Sequence, residues 1–400
     1  KLTVRDYIMN ELPYSHIKIL DISQGIAGPY CAHILWQQGA DVIKVEPPAG
    51  DWGRYVSTMR GKQSAVSIQF NAGKRGLALD ARTEAGQKVL VELALQADVV
   101  VQNFRPGVVN RLGIAYETLS VLKPELVYVS ISGYGDDGPY ADAPATDSVM
   151  QADTGLMVSN QDENGVPRRI GLLTADVSTG LYASQALSAA LYQRLAKGVG
   201  THVKVNLFEA CAAFQGMVFL EHAMTGGHRP TGAVTAPNGI FKTSDGVLTV
   251  VAVGNEHFAR VARALNHPEW ITDPRFIENG DRVQHRDALH ADIRAILLTN
   301  TTAHWMSLFA SHEVLHAPVR HYDDVIQHPQ AIHLGTVGLI EQEGIGQLPY
   351  IGLPTKPYRR PASAAPGIGE HSFQILNEAG IELARINQLI KDGVVVQLNQ

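Results

Sequence analysis

Asp176 lies in Thr174-Ala175-Asp176-Val177-Ser178-Thr179-Gly180, just ahead of a stretch with helical period. An aspartate there can cap the free backbone N–H groups of a first helical turn. The same setting favours an ionised carboxylate, and an ionised carboxylate can act as a nucleophile. Spacing leaves both roles open. Gly133-Tyr134-Gly135-Asp136-Asp137-Gly138 fits G-x-G-x-x-G and follows an apolar run. A dinucleotide site also needs a helix opening at the last glycine, and Pro139 with Ala143-Pro144 makes a poor start. The segment reads as a Gly-rich loop with another role. His312-Glu313-Val314-Leu315-His316 matches H-E-x-x-H, whose chemistry needs both imidazoles on one face of a continuous helix. Pro318 would end that helix beside its own ligands, so the expectation is a helix running out into a surface loop, with no metal. Basic residues gather in Asn71-Ala72-Gly73-Lys74-Arg75, with Arg82, Arg105 and Arg111 beyond. They suit phosphates, or a solvated face.

The elements that must position these groups follow from apolar patterning. Ile17–Asp21, Asp41–Glu46, Gly76–Asp80, Asp98–Gln102 and Leu126–Ile131 are short apolar runs separated by helical stretches at about 29–38 and 83–97. Such runs predict a parallel sheet covered on both faces, with ligands at loops off the carboxyl ends of its strands. The loops after residues 22, 46, 102 and 132 are therefore the places for a site. A long helix is expected over about 178–196, a hairpin over 239–253 around Ser244-Asp245-Gly246, and a final helix near 372–392.

Composition narrows the class. The chain has 400 residues, 45% of them hydrophobic, enough for two or three domains and a sizeable core. Its 33 basic and 39 acidic residues give a net charge of −6, with none of the basic excess expected of a nucleic-acid binder. Two cysteines, Cys31 and Cys211, make no disulfide scaffold and suggest a reducing compartment. No apolar run approaches a membrane span, and Lys1-Leu2-Thr3-Val4-Arg5 is not a signal-peptide opening. A soluble, cytoplasmic protein is expected, without membrane or nucleic-acid partners.

Taken in order, several segments resemble the family III CoA-transferases, the superfamily of formyl-CoA transferase and the carnitine CoA-transferases, which also holds α-methylacyl-CoA racemase. They are Leu20-Asp21-Ile22-Ser23 with Ala27-Gly28-Pro29; Gly39 to Glu46; Asn71 to Arg75; Asn103-Phe104-Arg105-Pro106-Gly107; Ala175-Asp176 with Gly180; Gly198-Val199-Gly200; Glu209-Ala210; and Gly369-Glu370-His371. The resemblance covers almost the whole chain. It implies an α/β fold: a Rossmann-like large domain with a parallel sheet plus a smaller α+β domain, in an interlocked homodimer of ring-shaped chains. The implied domains are 1–205 for the CoA-binding part, 206–230 as linker, 231–330 for the small domain, 331–366 as second linker and 367–400 returning to the large domain.

The implied reaction moves CoA from an acyl-CoA donor to a carboxylic acid acceptor through a mixed anhydride and a thioester on Asp176. CoA belongs to the substrate, and no prosthetic group is needed. Arg82, Asn103, Phe104 and Arg111, with Lys74 and Arg75, would hold CoA. Gly135, Gly138, Asp147 and Ile26 would wall the active site. Thr146 replaces the family's usual tyrosine, Ile26 stands where formyl-CoA transferases carry glutamine, and no run of glycines follows Pro237-Asn238-Gly239. These departures argue against oxalate with formyl-CoA as the natural pair and leave a small (di)carboxylic acid as acceptor. Arg54, Arg168 and Arg169 are possible partners of a second carboxylate or solvent-facing residues. The racemase alternative needs a histidine ahead of Asp147, where the chain reads Pro144-Ala145-Thr146. A non-catalytic CoA-binding protein is the alternative of another class.

Overall fold

The computed structural model describes residues 12–162, 164–227, 234–356 and 358–398; the reading of residues 1–5 lies outside them. The five apolar runs become strands β1 (Lys18–Asp21), β2 (Asp41–Glu46), β3 (Arg75–Leu79), β4 (Val99–Gln102) and β5 (Val127–Ser132). A sixth strand, β6 (Thr201–Asn206), was not foreseen, because His202 and Lys204 interrupt its apolar pattern. The order β3-β2-β1-β4-β5-β6 is parallel throughout. Val395–Val396 adds a short antiparallel edge to β3. Sheet growth reverses between β1 and β4, and that crevice is where such sheets bind ligands. Val99, Val100 and Val101 are fully buried, as helices on both faces require.

Helix α1 (Ala27–Gln37) leaves the carboxyl end of β1 and is buried along nearly its whole length. Helix α2 (Asp147–Asp153) follows the Gly-rich loop, and the long helix α3 (Thr174–Lys197) precedes β6. Helix α3 begins four residues earlier than its apolar period suggested, so Asp176 sits inside its first turn rather than ahead of it. Gly180 lets α3 approach α1: a Cβ there would lie 2.9 Å from the carbonyl oxygen of Ala27 and from the Tyr30 ring. Ala27, Cys31, Leu35, Ala183, Leu187 and Leu191 share the core between these helices and the sheet.

The chain divides into two compact units, one ending at Phe219 and resuming at Ile332, the other Leu220–Ala331. The second unit holds the foreseen hairpin, Asn238–Lys242 against Val247–Val251, over a core of Phe241, Phe258, Trp270 and Phe276. Its third strand, Leu315–Pro318, pairs with Val247–Val251 and corrects the expected surface loop. The helix Thr302–Ser311 has ended before His312, and Glu313 has φ +53°, so the two histidines never share a helix face. Among the described residues no cluster of metal-ligating side chains occurs. The stretches expected as linkers carry structure of their own: helices Leu207–Phe214 and Gly216–Met224, and the hairpin Val337–Gln342 with Gly346–Ile351. The final helix is two, Ser372–Glu378 and Leu383–Lys391, separated where Gly380 adopts φ +79°. Cys31 and Cys211 are both free and buried.

Candidate active site

The N-terminus of α3 has no local cap, because Leu173 stands at the N-cap position without a hydrogen-bonding side chain. Asp147, the first residue of α2, supplies the cap from 28 residues away. Its Oδ1 accepts the backbone N–H of Ala175 at 2.8 Å and, more loosely, that of Asp176 at 3.4 Å. Gln151, one turn along α2, donates from Nε2 to Asp147 Oδ2 at 2.7 Å and to the Leu172 carbonyl at 3.0 Å. Its Oε1 accepts the Ile170 N–H at 2.9 Å. Asp147 and Gln151 are buried, and the half-exposed Arg169 guanidinium lies 3.9 Å from Asp147 Oδ2. Thr146 caps α2 in turn, accepting the Val149 N–H.

Asp176 is thereby held in a first turn whose amides are already occupied. Its carboxylate has no hydrogen-bond partner among the described residues and sits in a part-buried position beside Leu173 and Val177. Those two pack with Ile26, Tyr30, Val56, Val66 and Phe70. Burial, and next the charge of Asp147, push its pKa up to about 7. This corrects the expectation that the helix terminus would favour the ionised form: Asp147 takes the N–H groups that would have supplied that stabilisation and adds a like charge. The result is a carboxylate near half ionisation at neutral pH and more basic than an ordinary aspartate, a setting suited to nucleophilic chemistry.

Buried ion pairs shape the loop between β1 and α1. Asp51 accepts the Gly25 N–H on both carboxylate oxygens, at 2.9 and 3.0 Å, and pairs with Lys44 at 2.9 Å. Lys44 also donates to the Ser23 carbonyl. Gly25 adopts φ +77° under the ring of Trp52, where a Cβ would lie 2.0 Å from a ring carbon. Asn103, just past β4, pins the loop across the reversal point: its Oδ1 accepts the Gln24 N–H at 2.8 Å and its Nδ2 donates to the Gln24 carbonyl at 2.7 Å. Phe104 follows with its N–H on Gln102 Oε1, and its ring packs in the core cluster that includes Ala81, Val109 and Leu112.

Several residues singled out in the sequence are placed elsewhere. Lys74 is fully buried and donates to Asp21 at 2.7 Å, the Pro29 carbonyl at 2.8 Å and Asn71 at 2.9 Å. With its three hydrogens engaged it has none for a phosphate, which corrects its expected role. Arg75 bridges Asp41 and Glu378. Arg54 is buried, forked onto Glu46 through two bonds of 2.7 Å and tied to Gln63 and the Pro366 carbonyl, so it is not free for a substrate carboxylate. Arg168 pairs with Asp162 on the surface. Arg82 is exposed and forked onto Asp80. Arg111 is exposed at the end of a short helix, its guanidinium close to Gly107. Gly135 and Gly138 have φ +105° and +88° in the loop after β5, and the Gly135 N–H donates to Ser132. Gln151 was missed; its only sequence signal is the i, i+4 spacing from Asp147.

The fold and this centre define a doubly wound α/β enzyme with a part-buried carboxylate at the head of its longest helix. A family model described as CoA-transferase family III matches residues 14–372, and the chain belongs to that family of CoA-transferases. It is 33% identical to a human succinyl-CoA:glutarate CoA-transferase over 97% of this chain and 91% of that protein. It is 35% identical to an acetyl-CoA:oxalate CoA-transferase of Acetobacter aceti over 74% of this chain and 78% of that one. The crystal structure of a CAIB/BAIF family protein from Brucella suis superposes with a TM-score of 0.82 at 29% identity, covering 92% of this chain and all of that chain.

Proposed function

We propose that the enzyme transfers CoA from an acyl-CoA donor to a small dicarboxylic acid by covalent catalysis on Asp176. The ionised carboxylate attacks the thioester carbonyl carbon, the C–S bond breaks, and a mixed anhydride forms with release of CoA thiolate. The thiolate attacks the aspartyl carbonyl, expelling the donor acid as carboxylate and leaving an aspartyl-CoA thioester. The acceptor carboxylate then attacks that thioester, and thiolate returning to the new anhydride gives acceptor-CoA and free Asp176. The part-buried Asp176 carboxylate in the first turn of α3, without a hydrogen-bond partner among the described residues, is the observation that carries this reading, and its raised pKa supports it. The glutarate and oxalate relatives support a dicarboxylic acceptor.

In this reading Arg82 and Arg111, exposed past β3 and β4, take phosphates of CoA, and the Asn103–Phe104 turn borders the nucleotide or pantetheine. Ile26 and the Gly135–Gly138 loop wall the acyl site. Exposed Phe214, Met217 and Phe219 are what an interlocked homodimer of ring-shaped chains would cover. The compartment is the cytoplasm. Proton exchange in the manner of a racemase is disfavoured by Asp147, whose oxygens already accept from the α3 amides and Gln151.

Intact and peptide mass spectrometry after incubation with succinyl-CoA or acetyl-CoA tests the reading. An acyl or CoA adduct on Asp176, absent from Asp176→Ala, is expected. No adduct from a panel of donors, with deuterium uptake at the α-carbon of a 2-methylacyl-CoA, would replace it with racemisation.

A further inference from the structure

We infer that Asp147, held by Gln151, is a positioning residue that docks the head of α3 and thereby sets both the aim and the basicity of Asp176. The inference rests on Asp176 being the nucleophile. Three observations meet in it. Leu173 cannot cap α3, so without Asp147 the first-turn amides of Ala175 and Asp176 would lack their acceptor. Next, the bonds from Gln151 to Asp147, Ile170 and Leu172 tie the segment leading into α3 to the buried face of α2. Because the Asp176 carboxylate has no hydrogen bond of its own among the described residues, its orientation comes from the backbone that carries it. Third, the clamp is a charge and not merely an acceptor. A neutral amide could satisfy the same N–H groups, whereas a carboxylate both satisfies them and opposes ionisation of its neighbour.

Among the described residues, the charge that acts on Asp176 is that of Asp147. Helix α2 contributes Asp147, and the segment before α3 contributes Arg169, which lies 3.9 Å from Asp147 Oδ2 and offsets part of its charge. Leu173 and Val177, its neighbours in the chain, pack into an apolar cluster with Ile26 and Tyr30, whose phenol is pushed up by burial. Asp147 acts on Asp176 as a like charge, and Arg169 acts through its pairing with Asp147. Removing the Asp147 charge makes Asp176 more acidic; removing the Arg169 charge makes it less so.

The test follows Asp176 adduct formation by quenched-flow mass spectrometry across pH 5–9. In the parent enzyme the rate rises with pH along a limb centred near 7, as Asp176 ionises. Asp147→Asn retains an acceptor for the Ala175 N–H; it is expected to move the limb down by about one pH unit and to slow the plateau roughly 10-fold. Arg169→Gln, at a half-exposed site, is expected to move the limb up by about half a unit. Asp147→Glu, which keeps the charge, restores the limb toward the parent position. A purely structural Asp147 predicts slower rates with an unmoved limb, and that result overturns the inference. An unmoved limb in Arg169→Gln would also overturn it, even if Asp147→Asn failed to fold. Absence of any adduct in the parent removes the nucleophile assignment and this inference with it, which separates the two failures.

Discussion

At pH 8 the Asp176→Asn variant unfolds at a higher temperature than the parent enzyme, because the native fold carries a carboxylate that it disfavours in ionised form. The folded pKa lies at about 7 against an ordinary value of 3.8, so between those values the folded chain binds more protons than the unfolded chain. Stability therefore falls as pH rises from about 4 to 7, and the full loss is present above 7. At ~1.4 kcal/mol per unit the ceiling is about 4 kcal/mol, and the partial exposure of Asp176 brings the expected loss to about 2 kcal/mol. Asparagine removes the loss, since it does not titrate. Thermal unfolding at pH 8 should show the variant melting roughly 2–5 °C higher, with the gap closing near pH 4. Loss of a favourable helix-dipole contact would have the opposite sign. A variant equal to or less stable than the parent at pH 8, or a gap that persists unchanged at pH 4, would refute the reasoning. The stabilised protein should form no adduct, which identifies the strain with the chemistry rather than with packing.

Two further predictions concern the shell around the site. Arg54→Leu strands the Glu46 carboxylate in a buried setting and should cost about 3–5 kcal/mol; a large drop in the melting temperature is expected, whereas a changed acceptor KM with unchanged melting would restore Arg54 as a substrate contact. Gly25→Ala places a Cβ 2.0 Å from a Trp52 ring carbon at a backbone φ of +77°. The ring, exposed at one edge, must swing outward, so tryptophan emission should change and activity fall, and unaltered emission with full activity would show that the loop has room.

Much of the sheet was legible because its cause is local. Val99–Val101 is apolar throughout and Leu126–Ile131 is interrupted only by Ser130, and only a strand buried on both faces needs such runs. Strand β6 was not legible, because none of its six positions is buried and its apolar residues Val203 and Val205 stand between His202, Lys204 and Asn206. The start of α3 was misplaced for a related reason: its true cap is Asp147, and no neighbour in sequence announces the first turn.

Among charged residues the sequence separates little. Lys74 and Arg75 are adjacent in one basic segment, yet Lys74 is sealed against Asp21 while Arg75 keeps partial exposure between two surface carboxylates. Strand order decides this, since β3 lies outside β2 and β1 and the Lys74 side chain turns inward to Asp21 at the end of β1. By itself the sequence determined the alternation of strands and helices, the glycines that close turns and helix contacts, and the presence of an aspartate where a long helix begins. Tertiary structure alone decided how basic that aspartate is. Its basicity comes from burial and from the charge of a carboxylate 29 residues away in the chain. Electrostatic energy depends on distance through space and on the water excluded between charges, and neither is a property of sequence position.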